Sequence, residues 1–330
     1  MEKIKIGLIG LGNVGRIHLH NCLHLRNATL SAVADTHEKS LITAKEVGIK
    51  HVFKDYNDLL KDPRIDAVII SVPTFLHVEI AAKAAENQKN ILIEKPIARN
   101  PDEALKIISV TKQNNVKLMV GYPLRFSEPF IDLKAEFESG TLGDIQIALA
   151  SHISTGPFSQ RAEFAHVPEP VPSWWFDKNL TGGGALIDLG CHMINLLRWY
   201  FGEVASIRSC LGNRFSMDFE DYAICNIRFK NGTIATLNVG WFARYHKMQI
   251  DLYGTAKHAS ATSRSPTLSD YVRNLFSFNT STGFYKELEY FVDCVVKNVD
   301  PSPSGEDGLE DLKVISEAYA NTAQIESCRK

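Results

Sequence analysis

The chain is 330 residues long with a formal net charge of -2. Hydrophobic residues make up 45% and charged residues 22%, the balance of an ordinary globular protein long enough for two domains, without the basic footprint of a nucleic-acid or anionic-membrane binder. No apolar run reads as long enough to cross a bilayer, and the scattered cysteines form no C-x-x-C, which speaks against a zinc knuckle or disulfide framework and for a reduced, cytoplasmic setting.

The opening MEKIKIGLIGLG places lysines before apolar residues. Its apolar part is short, alternates and ends in a glycine motif, so it reads as a first strand and not a signal peptide. The stretch KIKIGLIGLGNVGRIHLHNCLHL then reads as strand, tight turn and helix, with Gly10, Gly12 and Gly15 in the pattern G-x-G-x-x-G. A second strand, LSAVAD, ends in Asp35, twenty residues beyond Gly15, the place of the acid that holds an adenosine ribose. Asp35 repels a 2′-phosphate. Neither Thr36 nor His37 supplies the arginine an NADP site wants, although Lys39 is close, so NAD is expected over NADP. His20 and His24 share a helix face, but no cysteine or carboxylate stands at ligand spacing, and no metal site is expected.

The alternation continues: AVIISVPT (67–74), a helix over 76–88, NILIEKP (90–96), a helix over 101–115, and VKLMVGYP (116–123). Strands alternating with helices predict a parallel, doubly wound sheet, whose ligands bind at the carboxyl ends of strands. The cofactor contacts expected there are Gly10, Gly12, Asn13, Val14, Asp35, Ser71, Pro73, Thr74, His77, Glu94, Lys95 and Arg125.

Beyond about residue 122 the rhythm changes. The segments 143–153, 204–212, 222–241 and 248–261 alternate with period two, and Lys230-Asn231-Gly232 joins two of them as a hairpin. Helices are expected over 128–139, 185–201, 284–297 and 306–327. The fold class is therefore α/β. Residues 1–121 form a doubly wound dinucleotide-binding domain, and 122–330 form an α+β domain with an open, mainly antiparallel sheet. The 155–180 segment is rich in proline and aromatic residues. From it and its neighbours Tyr122, His152, Arg161, Trp174 and Asn179 are candidate substrate contacts.

The stretch TGGGALIDLGCHMINLLRWYFG (181–202) is apolar with a helical rhythm, broken by Asp188 and His192, which stand four apart and so share a helix face. Taken alone, such a pair is a core or capping hydrogen bond. Its neighbours change that reading. GLIGLGNVGRIH with Asp35, SVPTFLHVEIAAKA, LIEKPIA, GYPLRF, GGGALIDLGCHMINLLRW, NGTIATLNVGW and IDLYGT together resemble the glucose–fructose oxidoreductase / inositol dehydrogenase / rhizopine-catabolism (Gfo/Idh/MocA) family along nearly the whole chain. Thr74-Phe75 departs from it, since the family often has asparagine after the proline.

The resemblance implies a Rossmann domain followed by an open-sheet domain, often packed sheet to sheet in homodimers or homotetramers. In such proteins the last helix often packs back on the first domain, and the bond before Pro96 is typically cis. It also implies that Lys95, Asp188 and His192 form the catalytic set. The chemistry agrees: an imidazole titrates near neutrality and suits a general base, while an ammonium polarises the substrate oxygen. The expected function is an NAD(P)-dependent oxidoreductase of a secondary alcohol or ketone on a sugar, cyclic polyol or derivative. An NAD-dependent glycoside hydrolase using transient oxidation and a catalytically inactive dinucleotide sensor are the alternatives.

Overall fold

A computed structural model of the protein describes residues 3–158, 171–243, 245–264 and 283–323. The chain divides into two compact units, 1–126 with 278–309, and 127–277 with 310–330.

In the first unit the elements run β1 (Ile4–Ile9), α1 (Asn13–Cys22), β2 (Ala28–Ala34), α2 (Glu38–Glu46), β3 (His51–Phe53), α3 (Tyr56–Leu60), β4 (Ala67–Ile70), α4 (His77–Glu86), β5 (Asn90–Glu94), α5 (Pro101–Gln113) and β6 (Leu118–Gly121). The strands form one sheet in the order β3-β2-β1-β4-β5-β6, with every pairing parallel. Helices cover both faces of such a sheet, which is why β4 (AVII) is buried at every position. Helix starts are signalled locally. α5 follows Asn100, whose side chain accepts the Glu103 N–H at 3.0 Å, and it opens with Pro101.

The second unit contains α6 (Glu128–Glu138), β7 (Ile145–Ile153), α7 (Lys178–Thr181), α8 (Cys191–Phe201), β8 (Val204–Gly212), β9 (Tyr222–Phe229), β10 (Ile234–Gly240), β11 (Lys247–Gly254) and β12 (His258–Arg264). Late in the chain come α9 (Gly283–Lys297), which belongs to the first unit, then α10 (Gly305–Ala320) and the short β13 (Thr322–Ala323). The second sheet has the order β12-β11-β7-β10-β9-β8-β13. It is mixed: β7–β10 and β8–β13 pair in parallel, the other neighbours antiparallel. Its strands alternate. Ala148, Ala150, Cys225, Ile227, Leu237 and Val239 face the core, while Ile147, Leu149, Ile224, Ile234 and Tyr253 stand exposed on the opposite face. The expected hairpin joins β9 to β10, with Asn231 Oδ1 accepting the Thr233 N–H at 3.0 Å.

The compact units are cut differently from the expected boundary at 121, since 122–126 and α9 group with the first unit. The cause is amphipathic: Tyr285, Leu288, Phe291 and Val292 of α9 bury with Leu19 and Cys22 of α1 in one core. The helix that packs back is thus α9. The last helix, α10, begins in the first unit, where Gly308 abuts Ile97 and Val120, and continues in the second. Finally, the run Lys178–Phe201 is long and apolar enough by composition to cross a membrane, but 78% of its most apolar window is buried inside the protein. Its apolarity is that of a core element.

Candidate active site

The first unit presents a glycine turn between β1 and α1. Gly10 has φ +93°, and a Cβ there would sit 2.5 Å from the Ser71 carbonyl oxygen. At Gly15 a Cβ would lie 2.1 Å from the Gly10 carbonyl, so the helix packs on the turn only with glycine at this place. Gly12 is different: nothing lies within 4 Å of where its Cβ would be, and it gives α1 no side-chain cap. The first turn of α1 therefore receives no acceptor from its cap residue, the arrangement that suits a pyrophosphate. Asp35 ends β2 beside it. Its Oδ2 accepts the Leu11 N–H at 2.6 Å and its Oδ1 the His37 N–H at 2.7 Å. One carboxylate thus ties the loop after β2 to the glycine turn. Ser71, after β4, donates its hydroxyl to the Gly10 carbonyl at 2.8 Å and closes the turn from the other side. Pro73 and Thr74 follow, half-buried, at the start of a short 3-10 turn.

β5 ends in Glu94-Lys95-Pro96, and the Lys95–Pro96 bond is cis. Glu94 is buried, with Oε1 2.6 Å from His18 Nε2 and Oε2 accepting the Lys95 N–H at 3.2 Å. Lys95 itself is half-buried.

In the second unit, the expected helix over 185–201 is two pieces: a π-helical turn, Leu186–Gly190, then α8. Asp188 lies in the π turn and His192 in the first turn of α8, both half-buried in an otherwise buried run. The indole N–H of the buried Trp241 donates to Asp188 Oδ2 at 3.2 Å. The start of this helix is held by Glu220, whose Oε1 accepts the Gly184 N–H (3.1 Å), the Leu186 N–H (2.9 Å) and the Tyr319 hydroxyl (2.9 Å). Burial pushes the Glu220 carboxyl above its usual range in spite of these donors. A Cβ on Gly184 would fall 1.8 Å from the Glu220 carbonyl oxygen. What the glycine run admits is therefore this chain's own backbone.

Residues 4–122 match the oxidoreductase family with an NAD-binding Rossmann fold, and 130–260 match the GFO/IDH/MocA C-terminal domain. The chain belongs to the Gfo/Idh/MocA family. It is 28% identical to the myo-inositol 2-dehydrogenase of Thermotoga maritima, over 99% of this chain and 97% of that protein. It is 26% identical to the scyllo-inositol 2-dehydrogenase (NAD(+)) of Bacillus subtilis, over 95% of this chain and 92% of that one. The crystal structure of a probable dehydrogenase from Thermotoga maritima superposes with a TM-score of 0.82 at 25% identity, covering 96% of each chain.

In this Gfo/Idh/MocA oxidoreductase the cofactor is NAD, and the uncapped α1, the open side of Gly12 and the carboxylate of Asp35 fit it. Asn13 is exposed at the start of α1 and Val14 half-buried beside it. Two further expected contacts make hydrogen bonds within the first unit. His77 is only 1% exposed, its ring nitrogens 3.1 Å from the Ile97 carbonyl and 3.0 Å from the Val72 carbonyl; it braces the loops of β4 and β5 from inside. Burial drives its pKa below the usual value. Arg125 donates to Ser302 at 3.2 Å and stands 3.7 Å from Asp307, a tie to the start of α10.

Among the substrate candidates, Tyr122 is buried and Arg161 lies outside the described residues. His152 is 3% exposed, with Nδ1 3.2 Å from the Leu189 carbonyl and Nε2 2.8 Å from His246 Nε2, so it supports the Asp188 turn from behind. Trp174 is half-buried and stacked on Trp175, with ring centroids 4.8 Å apart. Asn179 is exposed and spends its backbone N–H on Asp177.

Sequence reasoning passed over Trp241, His246, Glu220 and Glu287. Trp241 carried a signal, standing at the end of the NVGW strand. The others stand in no motif.

Proposed function

We propose that this NAD-dependent oxidoreductase oxidises a secondary alcohol on a cyclic polyol or sugar, with inositols first among the substrates to try. The observation that carries the reading is the pair Asp188 and His192 on one helix, the aspartate fixed by the Trp241 indole and both left half-exposed in a buried run. Full-length likeness to two inositol dehydrogenases supports the substrate class.

NAD, when bound, supplies the acceptor for the hydrogen that leaves carbon with its electron pair. The remaining work falls to side chains. The imidazole of His192 takes the hydroxyl proton. Its Nδ1 is enclosed by protein, which leaves Nε2 as the atom that receives the proton. Asp188 carries a negative charge one turn away and stabilises the imidazolium that results. The Lys95 ammonium polarises the substrate oxygen and stabilises negative charge developing on it. Asp35 binds the ribose hydroxyls and selects against a 2′-phosphate.

Buried thiols outside any disulfide at Cys22, Cys225 and Cys294 suit a reduced, cytoplasmic setting, and the apolar outer face of the second sheet suits a homo-oligomer.

The test follows nicotinamide absorbance with NAD and a panel of inositols and sugars, wild type beside His192→Ala. Turnover by the wild type, reduced by about 100-fold or more in the variant, is the expected result. Wild-type levels in the variant, or NAD binding with no substrate turned over, sink the reading.

A further inference from the structure

Three ionisable side chains are buried together at the carboxyl end of the first sheet. His18 of α1 is fully buried with Nε2 2.6 Å from Glu94 Oε1. The other Glu94 oxygen accepts the backbone N–H of Lys95. Glu287 of α9 is 0% exposed, and neither of its carboxyl oxygens has a hydrogen-bond partner among the described residues. The same is true of His18 Nδ1. Phe284 stands one turn before Glu287 on the same side of α9, and its ring meets His18 edge-on with centroids 5.6 Å apart. The packing of α9 on α1 thus carries Glu287 to the flank of His18.

Unpartnered buried groups are strongly disfavoured, so three such atoms on two facing helices call for an arrangement that satisfies them. The groups facing Glu287 are few. Glu94 repels a second charge, and the Tyr122 backbone amide opposes burial by favouring the ionised form. Burial first, and the Glu94 charge second, hold the Glu287 carboxyl well above its ordinary range. It is therefore a neutral acid with one proton to donate. In the neutral imidazole tautomer whose Nε2–H points at Glu94, His18 Nδ1 is a lone pair in need of a donor.

We propose that Glu287, His18 and Glu94 form a buried hydrogen-bond chain that positions Lys95. The Glu287 hydroxyl donates to His18 Nδ1, through a small rotation of its side chain or one bridging water. His18 Nε2–H donates to the Glu94 carboxylate, and Glu94 accepts the Lys95 N–H. Each link holds one hydrogen and each acceptor one donor. The three residues are positioning residues: they act through Lys95, and the proposal rests on the catalytic role given to that lysine above.

The experiment pairs infrared spectroscopy with kinetics on the full chain. Wild type at neutral pH shows a protonated-carboxyl C=O band that disappears in Glu287→Gln. Glu287→Leu, which removes the donor, lowers kcat by about tenfold with the KM for NAD little changed, whereas Glu287→Gln, which keeps an N–H donor, retains several-fold more of it. No carboxyl band in the wild type overturns the chain, and so does a Glu287→Leu enzyme with wild-type kcat. If Glu287→Leu does not fold, the band and the Glu287→Gln comparison still decide. Undiminished turnover by Lys95→Ala would count against the lysine's catalytic role while leaving the band in place, so the two failures are read separately.

Discussion

Asp35 serves two partners with one carboxylate. It holds the glycine turn through Leu11 and the next loop through His37, and the ribose role proposed for it would come on top of both. Asp35→Ala therefore weakens NAD binding through both the loop and the ribose, by about tenfold or more, measurable by calorimetric titration. Trp241→Phe keeps the aromatic volume but removes the N–H that fixes Asp188. Its kcat falls by about three- to tenfold while the fold, followed by circular dichroism, stays intact. Glu287 adds a pH signature to stability. Its carboxyl keeps its proton in the folded chain at pH values where an unfolded one, at about 4.5, has lost it. The folded state then binds more protons, so this residue's contribution to stability falls as pH rises above that value. Glu287→Gln removes the slope: denaturant unfolding shows the variant gaining on wild type from acid toward neutral pH, and no such gain would argue against a buried neutral acid. At this scale the glycine turn and the second-strand acid were legible from local chemistry, since turn geometry and charge dictate residue types there. Lys95, Asp188 and His192 are proposed as a set only through the family resemblance. How far His77, Tyr122, Arg125 and His152 are enclosed was not legible. Each stands in or near a motif, but burial is decided by residues far away in the chain, such as the Ile97 carbonyl above His77 and His246 against His152.

The helix that bears Asp188 and His192 depends on a cap from another part of the chain. Three donors converge on Glu220 Oε1, and one is the hydroxyl of Tyr319, near the end of α10. Tyr319→Phe removes that donor alone and costs about 1 kcal/mol of stability. Glu220→Ala leaves the Gly184 and Leu186 amides unsatisfied as well and costs about 2–4 kcal/mol, with both losses read from denaturant midpoints. The apolar rhythm of 185–201 shows a helix but not its π turn. That turn lies in the segment where Glu220 receives the Leu186 amide and where only glycine at 184 clears the Glu220 carbonyl. Strands were transparent in their existence but not in their faces. β9 alternates in burial, yet Ile147 and Leu149 of β7 and Ile224 of β9 are apolar and exposed while alanine and cysteine beside them are buried, so residue type alone does not tell inward from outward.

The second sheet leaves an apolar outer face: Ile147 is 49% and Ile234 51% exposed, and the two are cross-strand neighbours, with Tyr253 beside Ile147 on the other side. If this face joins copies of the chain, Ile147→Lys together with Ile234→Lys yields a smaller species in sedimentation with unchanged circular dichroism; an unaltered size would place the contact elsewhere. The α/β class follows from the order of elements, but the discontinuity of the first unit does not, because nothing in the sequence of α9 says which core its apolar face will join. That discontinuity has a consequence for how the protein is made. The nucleotide-binding unit emerges first from the ribosome, yet the residues that close over α1 arrive only with α9, about 160 positions later. At about 5–20 residues per second the wait lasts roughly ten to thirty seconds. During it Leu19, Cys22 and their neighbours are uncovered, so nascent chains halted between Phe126 and Gly283 are the species that most need a chaperone.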